Sequence, residues 1–147
     1  MAEKEKLLIS ACLLGVNCKY NGGNNALPEA DLAELRRRYE LVPVCPETAG
    51  GLPTPRIPSE RRGSRVVNRL GEDVTEAFET GARAAVDILR REGCRKALLK
   101  SNSPSCGFGT IYDGSFTGRL VPGNGVAAEM LMKEKVRIFG NIKKLLE

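Results

Sequence analysis

A short apolar run, Lys6 to Ser10 (KLLIS), closes on the small residues Ser10 and Ala11 as a buried strand would. After a glycine-rich loop from Gly15 to Asn25, Pro28 opens a helix predicted to reach about Arg38, with acids in its first turn and Leu32 and Leu35 on one face. Leu41 to Val44 (LVPV) reads as a second strand, in which Pro43 weakens the ladder. Pro46 to Gly71, rich in proline and arginine, reads as one long loop of the kind that is usually functional or disordered. Asp73 and Thr75 form a capping signature ahead of Ala77, Phe78, Ala82, Ala85, Val86 and Leu89, whose spacing predicts the longest helix, ending near Gly93. Lys96 to Lys100 (KALLK) is a third strand, SNSPSCGFG a turn, and Ile111 to Phe116 a hairpin around Asp113-Gly114. Val126, Met130 and Leu131 give Gly123 to Lys135 helical spacing, before a fourth strand at Val136 to Phe139 and a short amphipathic C-terminal helix. Strands separated by helices favour an α/β domain with a mostly parallel sheet.

At 147 residues the chain fits a single domain, 1–147. With 28% charged residues no apolar run reaches membrane-span length, and MAEKEK lacks the apolar stretch of a signal peptide, so the expectation is a cytoplasmic protein with no membrane partner. Histidine is absent, so bases must be carboxylates, thiolates or amines. The five cysteines are odd in number and scattered, which argues against a disulfide framework and leaves thiolate ligation or thiol chemistry. The net charge of +5 suits an anionic partner, a nucleotide or nucleic acid, or simply keeps the protein soluble.

Cys12 follows the first strand, Cys45 the second, and Cys106 lies in the loop after the third. In an open α/β sheet the carboxyl ends of parallel strands share one edge, where ligands bind, so these three thiols are predicted to converge there. Any one of them alone would pass for a buried small hydrophobe. Structural zinc usually takes four ligands with paired local spacing, which is missing. An iron–sulfur cubane held at three irons, with the fourth open, fits better; a cysteine nucleophile is the alternative. Cys94, after the long helix, reads as structural, and Cys18 as a spare thiol or a fourth ligand.

Glu47, in VCPE, is the natural general base beside such a crevice, or else a surface cap. Ser103, three positions before Cys106, offers a hydroxyl for proton relay or plain turn chemistry, and Ser10 has the same double reading. Tyr20, Arg56 and Lys100 suit stacking on a base and phosphate binding, whereas Arg61, Arg62 and Arg65 read as a solvated loop. Gly22-Gly23 lacks the spacing of a phosphate-binding loop.

The strings SACLLGVNCKYNGG, VPVCPETAGGLPTPRIPSE, GEDVTEAFETGA, LLKSNSPSCG, IYDGSFTG and GNGVAAEML together resemble one family of compact bacterial and archaeal domains, once catalogued as unknown-function family 523 and associated with thiouracil desulfidases. The resemblance runs from about Leu8 to Leu131. It implies a small Rossmann-like three-layer domain and a [4Fe-4S] cluster with an open iron, held by cysteines that map onto Cys12, Cys45 and Cys106. It also implies a catalytic acid and hydroxyl at Glu47 and Ser103, with Ser10, Tyr20, Arg56 and Lys100 around the substrate. The implied chemistry is non-redox desulfuration of a thiolated pyrimidine, thiouracil or 4-thiouridine monophosphate, to uracil or UMP and hydrosulfide, with tRNA a secondary partner. The family's YDG loop reads YNG here, with Asn21. Two other classes compete: an RNA-binding module for thiolated tRNA, driven by basic charge, and a protein in which a metal only staples the loops.

Overall fold

The computed structural model describes residues 4–147. Strands β1 (Glu5–Ser10), β2 (Tyr39–Val44), β5 (Lys96–Leu98) and β8 (Arg137–Phe139) form one parallel sheet in the order β2-β1-β5-β8. Alternation along β1 sets the layers. Leu7 and Ile9 face helices α1 (Glu29–Arg38) and α5 (Ile142–Leu146), packing with Leu35, Leu98 and Leu145. Leu8 faces the other way, onto Ala85, Val86 and Leu89 of α3 (Thr75–Glu92) and Ala128 and Leu131 of α4 (Val126–Leu131). The result is the three-layer, Rossmann-like arrangement expected, with α1 and α3 on opposite faces. The connections therefore reverse between β1 and β5, the topological switch point where open α/β sheets bind ligands. Pro43 is tolerated because β2 is an edge strand.

The long helix ends where Gly93 turns left-handed at φ 70°, as the sequence predicts. Its start differs in detail. The Asp73 carboxylate accepts from Thr75 N (2.9 Å), while the Thr75 hydroxyl is buried and accepts from Val66 N (2.8 Å), tying α3 to a strand. That strand lies in the stretch expected to be a long loop. Pro46 to Gly71 instead contains the short helix α2 (Pro46–Ala49) and an antiparallel hairpin, β3 (Ser59–Arg62) with β4 (Arg65–Asn68), closed by Gly63 and Ser64. Arg61 and Arg62 are not solvated loop residues. Arg61 Nη1 pairs with Glu129 (2.7 Å) and donates to the Asn124 carbonyl (2.6 Å), and Arg62 Nε donates to the Gly114 carbonyl (2.7 Å). Arg65 remains exposed beside Asp73.

The second hairpin is also wider than expected. β6 (Thr110–Tyr112) pairs with β7 (Leu120–Pro122), so its loop spans 113–119. The Asp113 carboxylate curls the tip by accepting from Ser115 N and Oγ, rather than closing a two-residue turn. Helix α4 is shorter than Gly123 to Lys135 because the chain tightens into turns after Leu131. No helix among the described residues is long and apolar enough to cross a membrane.

Helices α2 and α3 touch backbone to backbone. A Cβ on Gly81 would fall on the Pro46 carbonyl oxygen, and one on Gly50 would fall on the Ala77 carbonyl oxygen. Gly81→Ala gains about 1 kcal/mol of helix propensity but must wedge α2 away, an overpacking cost of about 1–3 kcal/mol or more. Net destabilisation is expected, read as a lower denaturant midpoint, and a raised midpoint would show that the contact relaxes freely.

Candidate active site

The parallel register sets Ser10 opposite Val44, so the chain leaves β1 and β2 side by side. Cys12 lies in a 3-10 turn, Ala11–Leu14, and Cys45 directly precedes α2, with Pro46 at the helix start. Cys106 follows β5 in a turn held by Gly107 N donating to the Ser103 carbonyl (2.9 Å). Cys12, Cys45, Cys106 and Cys18 all line one cavity of about 440 Å³ at the carboxyl edge of the sheet. That volume is ordinary for a small-molecule site. Ser10, Tyr20, Glu47, Arg56, Lys100 and Ser103 line the same cavity. Cys94 does not; it is buried in the core with Leu8 and Leu89, near the charges of Glu92, Lys6 and Glu40.

The thiols sense one another. Burial pushes the Cys106 thiol up to about 12, eased by the hydroxyls of Ser10 and Ser105 and opposed by the nearby charges of Glu47 and Cys12. Cys18 is likewise pushed up to about 12 by burial and then by its contact with Cys45. Burial also raises Cys12, against a hydrogen bond with Asn25 that lowers it.

Glu47 is gripped at both oxygens. Arg56 Nε donates to Oε1 (3.1 Å) and Ser105 Oγ to Oε2 (2.9 Å). The Arg56 side chain is only 7% exposed, and three more of its donors go to the carbonyls of Cys18 (2.8 Å) and Pro53 (3.2 Å) and to Thr54 Oγ1 (3.1 Å). Arg56 therefore clamps the loops that carry Cys18 and Glu47, with four of its five N–H donors engaged within the protein. Ser10 Oγ accepts from Lys100 N (2.9 Å), joining the ends of β1 and β5. Lys100 Nζ donates only to the Ser101 carbonyl (3.0 Å), and Tyr20 stands exposed under Lys19 at the rim. Asn21 lies outside the cavity lining; its side-chain oxygen accepts from Gly23 N (2.9 Å), a turn contact an aspartate could make equally well.

Ser103 Oγ accepts from Cys106 N (2.7 Å) and lies 3.3 Å from Ser105 Oγ. Ser105 is a residue that sequence reasoning missed, since SNSPSC offers several serines and only the fold brings one to Glu47. A second omission is the wall built by the β3–β4 hairpin and the 113–119 loop. The Glu60 carboxylate accepts from Gly114 N (3.0 Å) and Phe116 N (3.1 Å), which holds Phe116 at φ 59°. Arg69 stacks on that ring, 5.7 Å from its centroid, and both residues line the cavity. A two-residue Gly63-Ser64 break between short runs was the available signal for this hairpin.

The donor set suits a cluster better than a single ion. Among the described residues, no three His, Cys, Asp or Glu side chains converge tightly enough to hold one metal ion. A cubane places each thiolate on a different iron, so its ligands stand farther apart than those of one ion, and soft thiolates are the donors it takes. Residues 7–142 match the 2-thiouracil desulfurase family. The chain belongs to that family. Among solved structures, the chain is 43% identical to the [4Fe-4S]-dependent thiouracil desulfidase TudS, with a TM-score of 0.88 over 92% of this chain and 90% of that one. It is also 37% identical over 143 residues to uncharacterized protein YbbK of Bacillus subtilis (strain 168), covering 90% of this chain and 93% of the relative.

Proposed function

We propose that this chain desulfurates a thiolated pyrimidine at a [4Fe-4S] cluster held by Cys12, Cys45 and Cys106. The observation that carries the reading is the meeting of these thiols with the clamped Glu47 in one cavity at the switch point. When bound, the cluster supplies an open iron, a Lewis acid toward sulfur. Water replaces the sulfur: the ring carbon gains oxygen, the carbon–sulfur bond breaks, and hydrosulfide and a proton leave without net electron transfer. Glu47 accepts the proton of the attacking water, and the Ser103 hydroxyl sits within the same hydrogen-bonded group. Arg56 keeps the carboxylate oriented.

Lys19, Arg69 and Lys100 line the cavity with no carboxylate partner among the described residues, which favours an anionic substrate such as 4-thiouridine monophosphate over the free base. The test is anaerobic reconstitution, then incubation with 2-thiouracil, 4-thiouridine monophosphate and thiolated tRNA, following sulfide release. Sulfide matched to lost substrate is expected, fastest with the nucleotide at low salt. Salt-sensitive tRNA binding without turnover would make the chain an RNA-binding module instead. Unfolding on chelation, with no turnover of any substrate, would leave the metal a structural staple.

A further inference from the structure

Ser103 and Glu47 come from different loops and do not touch directly; one buried hydroxyl stands between them. Ser105 is 3% exposed and reaches across 58 positions to donate to Glu47 Oε2 (2.9 Å). A serine has one proton to donate and an ionised carboxylate can only accept. When Ser105 gives its proton to Glu47 rather than to the neighbouring Cys106 sulfur, it is the acceptor in the 3.3 Å contact with Ser103. Ser103, whose oxygen already accepts from Cys106 N (2.7 Å), is left with its own proton to give. In that arrangement the bonds run from Ser103 to Ser105 to Glu47.

We propose that Ser105 is the positioning residue that carries a proton from Ser103 to Glu47 during desulfuration. A proton arriving on Ser103 Oγ displaces that residue's own proton onto Ser105, and the Ser105 proton passes to Glu47 Oε2. Both serines end neutral with one proton each, Glu47 ends protonated, and no electrons move. The geometry is fixed from every side. Arg56 holds Oε1, so Oε2 is the oxygen turned to the chain. The Ser105 carbonyl accepts from Ala127 N (2.9 Å) and Ala128 N (3.1 Å), locking the residue to the start of α4. Ser103 is the half-buried end of the chain and Ser105 its enclosed middle, so a proton need not pass through bulk water.

This inference rests on the desulfuration reading. It is tested with cluster-loaded protein and 2-thiouracil, rates being taken per loaded cluster. Ser105→Ala should lower kcat by roughly tenfold to a hundredfold, at the low end of acid–base effects, with KM and iron content within about twofold of the parent if only proton transfer is lost. Ser105→Thr, which keeps the hydroxyl, should recover most of the rate. Glu47→Ala/Ser105→Ala should be no slower than Glu47→Ala alone, because both changes cut one chain. Three results would overturn the relay: parental kcat in Ser105→Ala, losses that add in the double variant, or loss of iron in both Ser105 variants. The two failures are separable, since a loaded parent protein that leaves every thiolated pyrimidine intact sinks the desulfuration reading itself.

Discussion

Replacing Cys12, Cys45 or Cys106 by Ala is expected to abolish iron–sulfur absorption and sulfide release together. The three sit on loops fixed by different elements, the turn after β1, the start of α2 and the turn after β5, so each supplies a thiol that the other two loops cannot. Changes to residues that merely support metal ligands already cost 10–100-fold in affinity, and loss of a ligand should exceed roughly a hundredfold. Iron and sulfide per chain after anaerobic reconstitution measure the effect. Two controls give it meaning. Cys94→Ala leaves the cavity untouched and should lose only about 1 kcal/mol of packing. Cys18→Ala removes a thiol that lies against Cys45 and should keep its iron. A Cys18 variant as empty as the others, beside a Cys12 or Cys106 variant that stays loaded, would reassign the ligand set.

The sheet and the arrival of the cysteines at one cavity were legible because each depends on local signals. KLLIS and KALLK are apolar runs bounded by small or charged residues, and in a parallel sheet whatever follows each strand reaches the same edge. The place of Glu47 in the cavity was legible because it lies two positions after Cys45, so the same segment carries both. Partnerships between distant segments were not. Arg56 looks like a phosphate ligand in PTPR, yet its guanidinium finds Glu47 and the Cys18 carbonyl first, and a cation satisfied inside the fold has little left for substrate. Arg69, inside the stretch expected to be one long loop, stacks on Phe116 at the cavity wall. The hairpin SERRGSRVVN escaped notice because β3 has no apolar alternation, its arginines being held by carbonyls and Glu129 rather than by a core. Close backbone contacts are equally invisible in a sequence: nothing in VTEAFETGA says that Gly81 faces the Pro46 carbonyl.

Glu47→Ala is expected to separate chemistry from cluster binding. Its carboxylate lines the thiol cavity but is tied to Arg56 and Ser105, and the described geometry gives it no tight shared metal site with the cysteines. The variant should therefore keep the visible absorption and iron content of the parent and still bind substrate, while turnover falls by roughly two to four orders of magnitude, the usual worth of a general base. Stability moves in a definite direction as well. Removing the carboxylate leaves Arg56, 7% exposed, as a buried cation still bonded to the Cys18 and Pro53 carbonyls but without its counter-charge. Breaking a buried pair from one side typically costs about 3–5 kcal/mol. Glu47→Gln keeps the shape and an acceptor oxygen for Arg56 but has no basic carboxylate, so it should lose the rate with less of the stability. Near-parental turnover in Glu47→Gln would assign water activation to another group. Loss of iron in Glu47→Gln, where the shape is kept, would make the residue part of the scaffold that holds Cys45 in place.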